Sequence, residues 1–411
     1  MGKNYRFNGY EAFRYLEPDI DYRSFKLAKQ IGRVEEYLIP LTKNEEDRVL
    51  ELLENSIVVS MHEHLGVMPE NIEEEFIAYQ REGREFIGYE GLSISYFDAV
   101  FDDMMNGTAF ITSKEGWKWD DIIFDLGIRL CDIAHQDFVI KCEKLEDIKY
   151  AYESGRVALI PSVEGAAPIE NEVERIEILY GLGVRKLGIT YSESNALGTG
   201  AGAGHRDGGL TDFGFDCIER MNKIGMAIDV SHCSKLTMLD SMEASKKPVM
   251  LSHTVAGSLQ GSPQNRTPDE VFISMAEKDG IAGVCAAPHS TWTINRPEHN
   301  IESYMEHMEY LINLVGVEHI GAGPDTLWGD HVKLHHLWFN QNGRAITRRR
   351  KRMESRSGKL PYKQVEFVKG IENPSEGMIN ITRWLIKNGY SDEEIKKLIG
   401  GNVIKFLERV W

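Results

Sequence analysis

The chain has 411 residues, of which 42% are hydrophobic and 27% charged, so it has enough apolar material for one large core, and disorder is not expected. The formal net charge of −17 argues against binding to nucleic acid, which depends on clustered positive charge. Five cysteines at irregular spacing predict neither a disulfide framework nor a zinc knuckle. With a polar N-terminus and no apolar run of bilayer length, these features favour a cytoplasmic protein without a membrane partner.

The first 55 residues are interpreted as an N-terminal extension packed on the main domain. They end in a predicted helix over residues 43–55, where Thr42 and Glu45 form a capping-box pattern ahead of several apolar residues. No chemistry is expected from this segment.

The first strand candidate, residues 56–61, runs directly into His62-Glu63-His64. Because alternate residues of a strand point to the same side, His62 and His64 can face one interior and bind one metal ion. The alternative is that both are polar loop residues without a ligand.

Seven more strand candidates follow at regular intervals, and amphipathic segments of helical length separate most of them. The candidates are residues 91–98, 157–162, 184–191, 226–231, 249–252, 280–285 and 319–323. Eight such units predict an α/β fold of the (β/α)8 TIM-barrel type over residues 56–375, ahead of an open doubly wound sheet. An insertion is expected near residues 330–365, and residues 376–411 are expected to form two further helices with Ser391 as an N-cap.

Polar side chains stand at the carboxyl ends of these strands. Residues 225–254 contain two short apolar runs that each end in Ser-His, at Ser231-His232 and Ser252-His253, and the other polar strand ends are Glu164, Tyr191 and Asp325. Since parallel barrels assemble their sites from the ends of several strands, we expect these groups to meet. A single histidine at such a position is more often only a hydrogen-bonded structural residue.

Four histidines and two carboxylates form a ligand set suited to zinc or another borderline divalent ion. Six ligands suggest two ions, with Glu164 as the bridge. A paired-metal site supplies a bridging hydroxide as nucleophile, and Asp325 is the best candidate to accept and return a proton. The predicted chemistry is hydrolysis.

Six short motifs carry a family resemblance: GLTDFG at 209–214, GMAIDVSHCS at 225–234, LSHT at 251–254, Asn265-Arg266, GIENPS at 370–375 and GGN at 400–402. With them, the chain from about Ile57 onward resembles the membrane (renal) dipeptidase family, peptidase family M19, whose members are binuclear zinc barrels of the amidohydrolase type. The resemblance implies cleavage of a dipeptide or similar small N-acyl amino acid, and a homodimer.

Position by position, the resemblance implies that His62 and His64 bind one zinc, that Glu164 bridges, and that His232 and His253 bind the second. It further implies that Asp325 is the acid/base carboxylate and that Arg266 pairs with the substrate's terminal carboxylate, a role suited to a planar, charged fork.

Two positions depart from the family pattern. His64 stands where the family has aspartate, and Tyr191 stands where it has a histidine that stabilises the oxyanion. A phenol can donate a hydrogen bond but is neutral, so a non-peptide substrate (a lactone or cyclic amide, or a metal-assisted lyase or isomerase reaction) is the alternative. A non-catalytic metal-binding relative is the third hypothesis.

Three remaining features received other interpretations. The glycine-rich stretch 198–209 is expected to be a flexible loop over the barrel mouth rather than a phosphate cradle. His331, His335 and His336 are expected to be surface or lid residues. The basic cluster in residues 344–356 is expected to be a solvated or subunit-contact loop, with recognition of an acidic substrate or partner as the alternative.

Overall fold

A computed structural model describes residues 3–82, 84–104, 118–203, 206–261, 267–335 and 363–411. Its strands are short and buried on both faces, as is typical of parallel strands covered by helices. In chain order they are β1 Val59–Val67, β2 Phe86–Ile87, β3 Ala99–Met104, β4 Val139–Lys141, β5 Val157–Val163, β6 Lys186–Gly188, β7 Ala227–Asp229, β8 Met250–Thr254, β9 Ile281–Val284, β10 Ile320–Ala322 and β11 Thr326–Trp328.

Eight of these strands form a closed parallel barrel in the order β1-β3-β5-β6-β7-β8-β9-β10, and β10 returns to β1 at the pair Ser60 and Ala322. Three short strands lie at its margins: β2 pairs antiparallel with β1, while β4 and β11 pair in parallel with β5 and β1. The predicted (β/α)8 barrel is therefore confirmed.

Helices surround the barrel and follow most of its strands. They are α1 Lys43–Glu54, α2 Ile72–Glu82, α3 Tyr89–Ile94, α4 Trp119–Ile133, α5 Leu145–Ser154, α6 Glu174–Gly181, α7 Asp212–Ile224, α8 Lys235–Ala244, α9 Asp269–Glu277, α10 Ile301–Val315, α11 Gly377–Lys387, α12 Asp392–Lys396 and α13 Asn402–Val410. Thr42 and Ser391 cap α1 and α12 through reciprocal capping boxes, which confirms both predicted helix starts. Within the described segments, no helix is both long and apolar enough to cross a bilayer.

The second predicted strand, residues 91–98, is wrong. Residues 89–94 form helix α3, and the barrel strand follows as β3. The helix packs under the indole of Trp328, so closely that a Cβ on Gly88 would lie 2.4 Å from a ring carbon. The true strand was obscured because it contains two aspartates, Asp102 and Asp103, which are buried and paired with basic side chains.

The C-terminal segment closes the barrel end opposite the strand carboxyl ends. A Cβ on Gly400 would lie 2.2 Å from the carbonyl oxygen of Ile57, so this close approach requires glycine. Asn402 donates hydrogen bonds to the carbonyl oxygens of Val317 (2.7 Å) and Ile320 (2.8 Å). The GGN motif at 400–402 thus attaches the last helix to both β1 and β10.

The N-terminal residues contact the barrel helices through Asp132. Its carboxylate accepts hydrogen bonds from the Tyr10 hydroxyl (2.9 Å), the Phe13 backbone amide (2.8 Å) and the Tyr89 hydroxyl (2.7 Å). We retain as a proposal the division into an extension (1–55), a barrel with an insertion near 330–365 (56–375) and C-terminal helices (376–411). Most of that insertion, residues 336–362, lies outside the described residues.

Candidate metal centre

The six predicted ligands meet at one end of the barrel. His62 and His64 lie in β1 and His253 in β8, while Glu164, His232 and Asp325 follow β5, β7 and β10. All six side chains are buried except that of His232, which is partly exposed. The structure therefore brings together residues that span 264 positions of the sequence, because consecutive parallel strands end at one rim.

One half of the cluster consists of His62, His64 and Asp325. Nε2 of His62 lies 3.3 Å from Nε2 of His64, and Oδ1 of Asp325 lies 3.6 Å and 3.2 Å from these two nitrogens. Their ligand atoms all fall within 4.8 Å of one another, close enough to hold a metal ion.

The other half consists of Glu164, His232 and His253. Nε2 of His232 lies 2.8 Å from Oε1 of Glu164 and 2.9 Å from Nε2 of His253. Glu164 also faces the first half, since its Oε2 is 3.8 Å from Nε2 of His64. That Oε2 is buried and accepts no hydrogen bond from the described residues. A cation between the two halves would satisfy it, so the donor set fits one or more divalent ions.

The electrostatics of the cluster also favour a cation. Burial lowers the pKa of His62 well below its usual value and that of His253 to about 4, so both imidazoles are neutral and can serve as ligands. Burial acts in the same direction on His64, but its hydrogen bond to Asp325 and the charge of Glu164 raise its pKa to about 10. The two carboxylates thus favour a positive charge at this position.

The backbone is strained at two of the predicted ligands. His232 and Asp325 both have φ of 60°, the left-handed region that non-glycine residues adopt at a cost of about 1 to 3 kcal/mol. Neighbouring groups hold them there: the Ala201 amide donates to the His232 carbonyl (2.7 Å), and the Asp325 amide donates to the His62 carbonyl (3.0 Å). Such strain is characteristic of functional sites.

The described part of the glycine-rich stretch, 198–203 and 206–209, supports His232. Ala201 provides the bond to the His232 carbonyl, and a Cβ on Gly200 would lie 2.5 Å from the carbonyl oxygen of Glu193. At its other end Asp207 accepts a hydrogen bond from the Leu236 amide (2.9 Å). The described residues of the stretch are therefore attached at both ends, and flexibility of the loop stays a prediction.

The structure describes some, but not all, of the other predicted residues. The ring of Tyr191 lies beside His232, with centroids 4.3 Å apart. His331 and His335 are buried rather than at the surface, and Nδ1 of His331 accepts a hydrogen bond from the Leu327 amide (3.0 Å). Arg266, His336 and the basic cluster at 344–356 lie outside the described residues.

Sequence reasoning missed a charged layer beneath the ligands. Nζ of Lys186, fully buried, lies 2.7 Å from Oδ1 of Asp103 and 3.0 Å from Oδ2 of Asp229. Oδ2 of Asp103 is in turn 3.1 Å from Nδ1 of His62. The sequence does contain a signal for this layer, because charged residues lie inside apolar strand runs. A buried charge requires a partner, so these residues could have been expected to pair with one another.

Fold and site together define a closed (β/α)8 barrel with a two-part cluster of imidazole and carboxylate groups at its carboxyl rim, the architecture of metal-dependent hydrolases. The family model described as "Membrane dipeptidase (Peptidase family M19)" matches residues 124–334, just over half of the chain. The chain belongs to this family, and the predicted family assignment is confirmed.

Two curated relatives are similar along most of the chain. Dipeptidase tcpJ of Claviceps purpurea is 27% identical over 291 residues, which is 70% of this chain and 58% of that protein. Dipeptidase verJ of Clonostachys rogersoniana is 27% identical over 260 residues, 63% of this chain and 57% of that protein. The chain thus spans less than two thirds of the length of these relatives.

Among solved structures, an amidohydrolase from Pseudomonas aeruginosa superposes with a TM-score of 0.70 at 24% identity, over 88% of this chain and 99% of that one. This likeness supports the barrel fold.

Proposed function

We propose that the protein is a zinc-dependent dipeptidase, which hydrolyses the amide bond of a dipeptide or similar small N-acyl amino acid with a free carboxylate. The observation that carries the proposal is the position of Glu164 between two sets of ligand atoms, which suits two ions sharing one bridging carboxylate. Family membership and the names of the two curated relatives support the same activity.

In this proposal His62, His64 and Asp325 would hold one zinc, His232 and His253 would hold the other, and Glu164 would be the carboxylate they share. Bound ions of this kind lower the pKa of a water toward neutrality and polarise a carbonyl oxygen. The Nε2 atoms that would contact them already point at one another across 2.9 and 3.3 Å, so little rearrangement is required.

Asp325 is assigned the proton transfer. Burial acts to raise its pKa, but the neighbouring His253 and His64 lower it overall, so the carboxylate is ionised and can accept a proton. It would take the proton of the attacking water and return it to the leaving amine. Tyr191, beside His232, would donate a hydrogen bond to the carbonyl oxygen as negative charge develops, and Arg266 would bind the substrate carboxylate.

The test is a measurement of zinc content followed by a panel of L-L and L-D dipeptides at neutral pH. We expect about two zinc ions per chain and turnover of at least one dipeptide, with activity lost in His253→Ala. His135→Ala is the matched control, because His135 is an exposed histidine outside the cluster. Fully metallated protein that cleaves no dipeptide would eliminate this substrate class.

A second candidate function keeps the metals but changes the substrate. The phenol of Tyr191 is neutral where a cationic donor would suit a peptide oxyanion, which favours a lactone, a cyclic amide, or a lyase or isomerase reaction. Lactones and cyclic amides should therefore be assayed beside the dipeptides. A protein that binds zinc but turns over none of them would be a non-catalytic relative.

The cellular setting and assembly are also proposals. The five cysteines are free, which is consistent with a reducing cytoplasm. Family resemblance suggests a homodimer. The net charge of −17 and the lack of a long apolar run favour neither nucleic acid nor membrane as a partner. Gel filtration with light scattering would give the oligomeric state directly.

A further inference from the structure

The hydroxyl of Ser252 lies beneath both halves of the cluster. Ser252 is fully buried in β8. Its Oγ lies 2.9 Å from Nδ1 of His62 and 3.0 Å from Nδ1 of His253, and it is hydrogen-bonded to Oδ2 of Asp229. One side-chain atom therefore contacts a ligand from each half, on the ring nitrogen that faces away from the metal centre.

Asp229 decides which way the Ser252 hydroxyl points. The carboxylate is buried, pairs with Nζ of Lys186 at 3.0 Å, and accepts hydrogen bonds from the amides of Ser231 (2.9 Å) and Ser252 (3.0 Å). Burial acts to raise the pKa of Asp229, but Lys186 and the hydrogen bonds lower it overall, so this group is an acceptor only. The single proton of Ser252 must then go to Asp229.

A hydroxyl whose proton is already donated has only its two lone pairs left to offer. Each can accept one N–H, and the structure places two imidazole nitrogens within reach. Both Nδ1 atoms must therefore carry hydrogen, which leaves the Nε2 atoms as the free acceptors that a metal requires.

Two other groups lie near Nδ1 of His62. Oδ2 of Asp103 is 3.1 Å from this nitrogen but makes no hydrogen bond with it. Nζ of Lys186 is a donor 3.4 Å away and favours the opposite tautomer, but it has shorter contacts to two carboxylates, at 2.7 and 3.0 Å. The Ser252 hydroxyl at 2.9 Å is closer than this donor, which is already engaged, and it therefore decides the tautomer.

We propose that Ser252 is a shared positioning residue, which fixes the Nδ1–H tautomer of His62 and His253 and so directs one Nε2 lone pair into each half of the metal centre. The inference rests on the proposed binuclear function. It has a distinctive consequence. Loss of this one hydroxyl should weaken the binding of both ions, although the hydroxyl contacts neither ion. Loss of such a supporting contact typically lowers metal affinity by about 10- to 100-fold.

The first experiment compares Ser252→Ala with Ser231→Ala in zinc titrations of metal-free protein against a competing chelator. Ser231 is the matched control, because its buried hydroxyl lies 3.4 Å from Oγ of Ser252 and accepts the His253 amide at 3.3 Å. We expect Ser252→Ala to lose at least 10-fold in affinity for both ions, Ser231→Ala to stay within about threefold, and Ser252→Thr to recover most of the loss.

The second experiment needs no variant of Ser252. In the metal-free wild type labelled with ¹⁵N-histidine, the His62 and His253 rings should show the Nδ1–H tautomer in NMR spectra, with signals assigned through His62→Gln and His253→Gln. Dominance of the Nε2–H tautomer in both rings would overturn the proposal, as would equal losses of affinity in Ser252→Ala and Ser231→Ala. Unchanged affinity in Ser252→Ala beside a zinc-binding wild type refutes only the role of Ser252. A wild type that binds no zinc refutes the proposed function as well.

Discussion

Oε1 of Glu164 lies 2.8 Å from Nε2 of His232, and this contact fixes the carboxylate at the centre of the ligand cluster. Its second oxygen has no hydrogen-bond donor among the described residues and faces His64. Glu164→Gln replaces one carboxylate oxygen by an NH2 group, which cannot bind a metal, and removes a buried negative charge.

We therefore expect Glu164→Gln to lower the zinc content below one ion per chain and to reduce kcat/KM by at least 100-fold. Elemental analysis and the dipeptide assay measure both quantities. Glu408→Gln, at an exposed position on α13, is the control and should match the wild type. Full zinc content in Glu164→Gln would contradict a bridging role.

Lys186 neutralises two buried carboxylates, and its removal should destabilise the barrel. Lys186→Met keeps the side-chain volume but leaves Asp103 and Asp229 without their cation, for which a loss of about 3 to 5 kcal/mol in unfolding free energy is expected. Urea denaturation measures the difference. Lys278→Met breaks an exposed pair with Glu243 and should change stability by less than about 1 kcal/mol. Equal losses of unfolding free energy in the two variants would show that the buried ion pairs of Lys186 do not stabilise the fold.

Two glycines of one loop offer a matched test of the support for His232. An added Cβ at Gly200 would meet the Glu193 and Ser192 carbonyl oxygens at 2.5 and 2.6 Å, whereas at Gly208 the nearest atom is 3.6 Å away. Gly200→Ala should displace the Ala201 amide from the His232 carbonyl and lower kcat by about 10-fold or more, since small displacements of catalytic groups are costly. Gly208→Ala should retain wild-type kcat. Circular dichroism should show that both variants fold. Equal kcat values in the two variants would show that the Ala201 amide does not position His232.

The stability of the fold should depend on the protonation of Glu372. Burial raises the pKa of this carboxyl to about 8, although Arg33 opposes the shift. Because the folded pKa exceeds the unfolded value, the folded protein binds the extra proton. The contribution of this group to the unfolding free energy is then greatest below about pH 4.5. It falls by up to about 1.4 kcal/mol per pH unit and is lost as the pH rises through 8.

Glu372→Gln removes that proton-binding site, so its unfolding free energy should vary less than that of the wild type between pH 5 and 9. Denaturation curves across this range give the comparison. A pH dependence identical in both proteins would show that Glu372 is ionised throughout.

The sequence predicted which side chains meet at the barrel rim better than it predicted the groups around them. His62, His64, Glu164, His232, His253 and Asp325 could be found because each directly follows or ends a short apolar run, and the barrel brings such ends together. The second strand was misplaced because the apolar pattern was read in residues that pack as a helix under Trp328. Tertiary packing decided between helix and strand there, and no local pattern contains that information.

The layer beneath the ligands was missed for a different reason. Lys186, Asp103 and Asp229 come from three strands, and each looks like an interruption of an apolar run until its partners are known. Ser252 was noticed only as half of a repeated Ser-His pair. Its importance depends on distances to two imidazoles 190 positions and one position away along the chain.

The barrel is sealed by residues far apart in sequence: Ser60 pairs with Ala322, and Gly400 packs on Ile57. During synthesis the first strand therefore leaves the ribosome long before its neighbours on one side exist. Until β10 and β11 emerge, β1 has an unpaired edge that other chains can join, and contacts of such long range form slowly. Molecular chaperones that shield this edge should raise the yield of native protein.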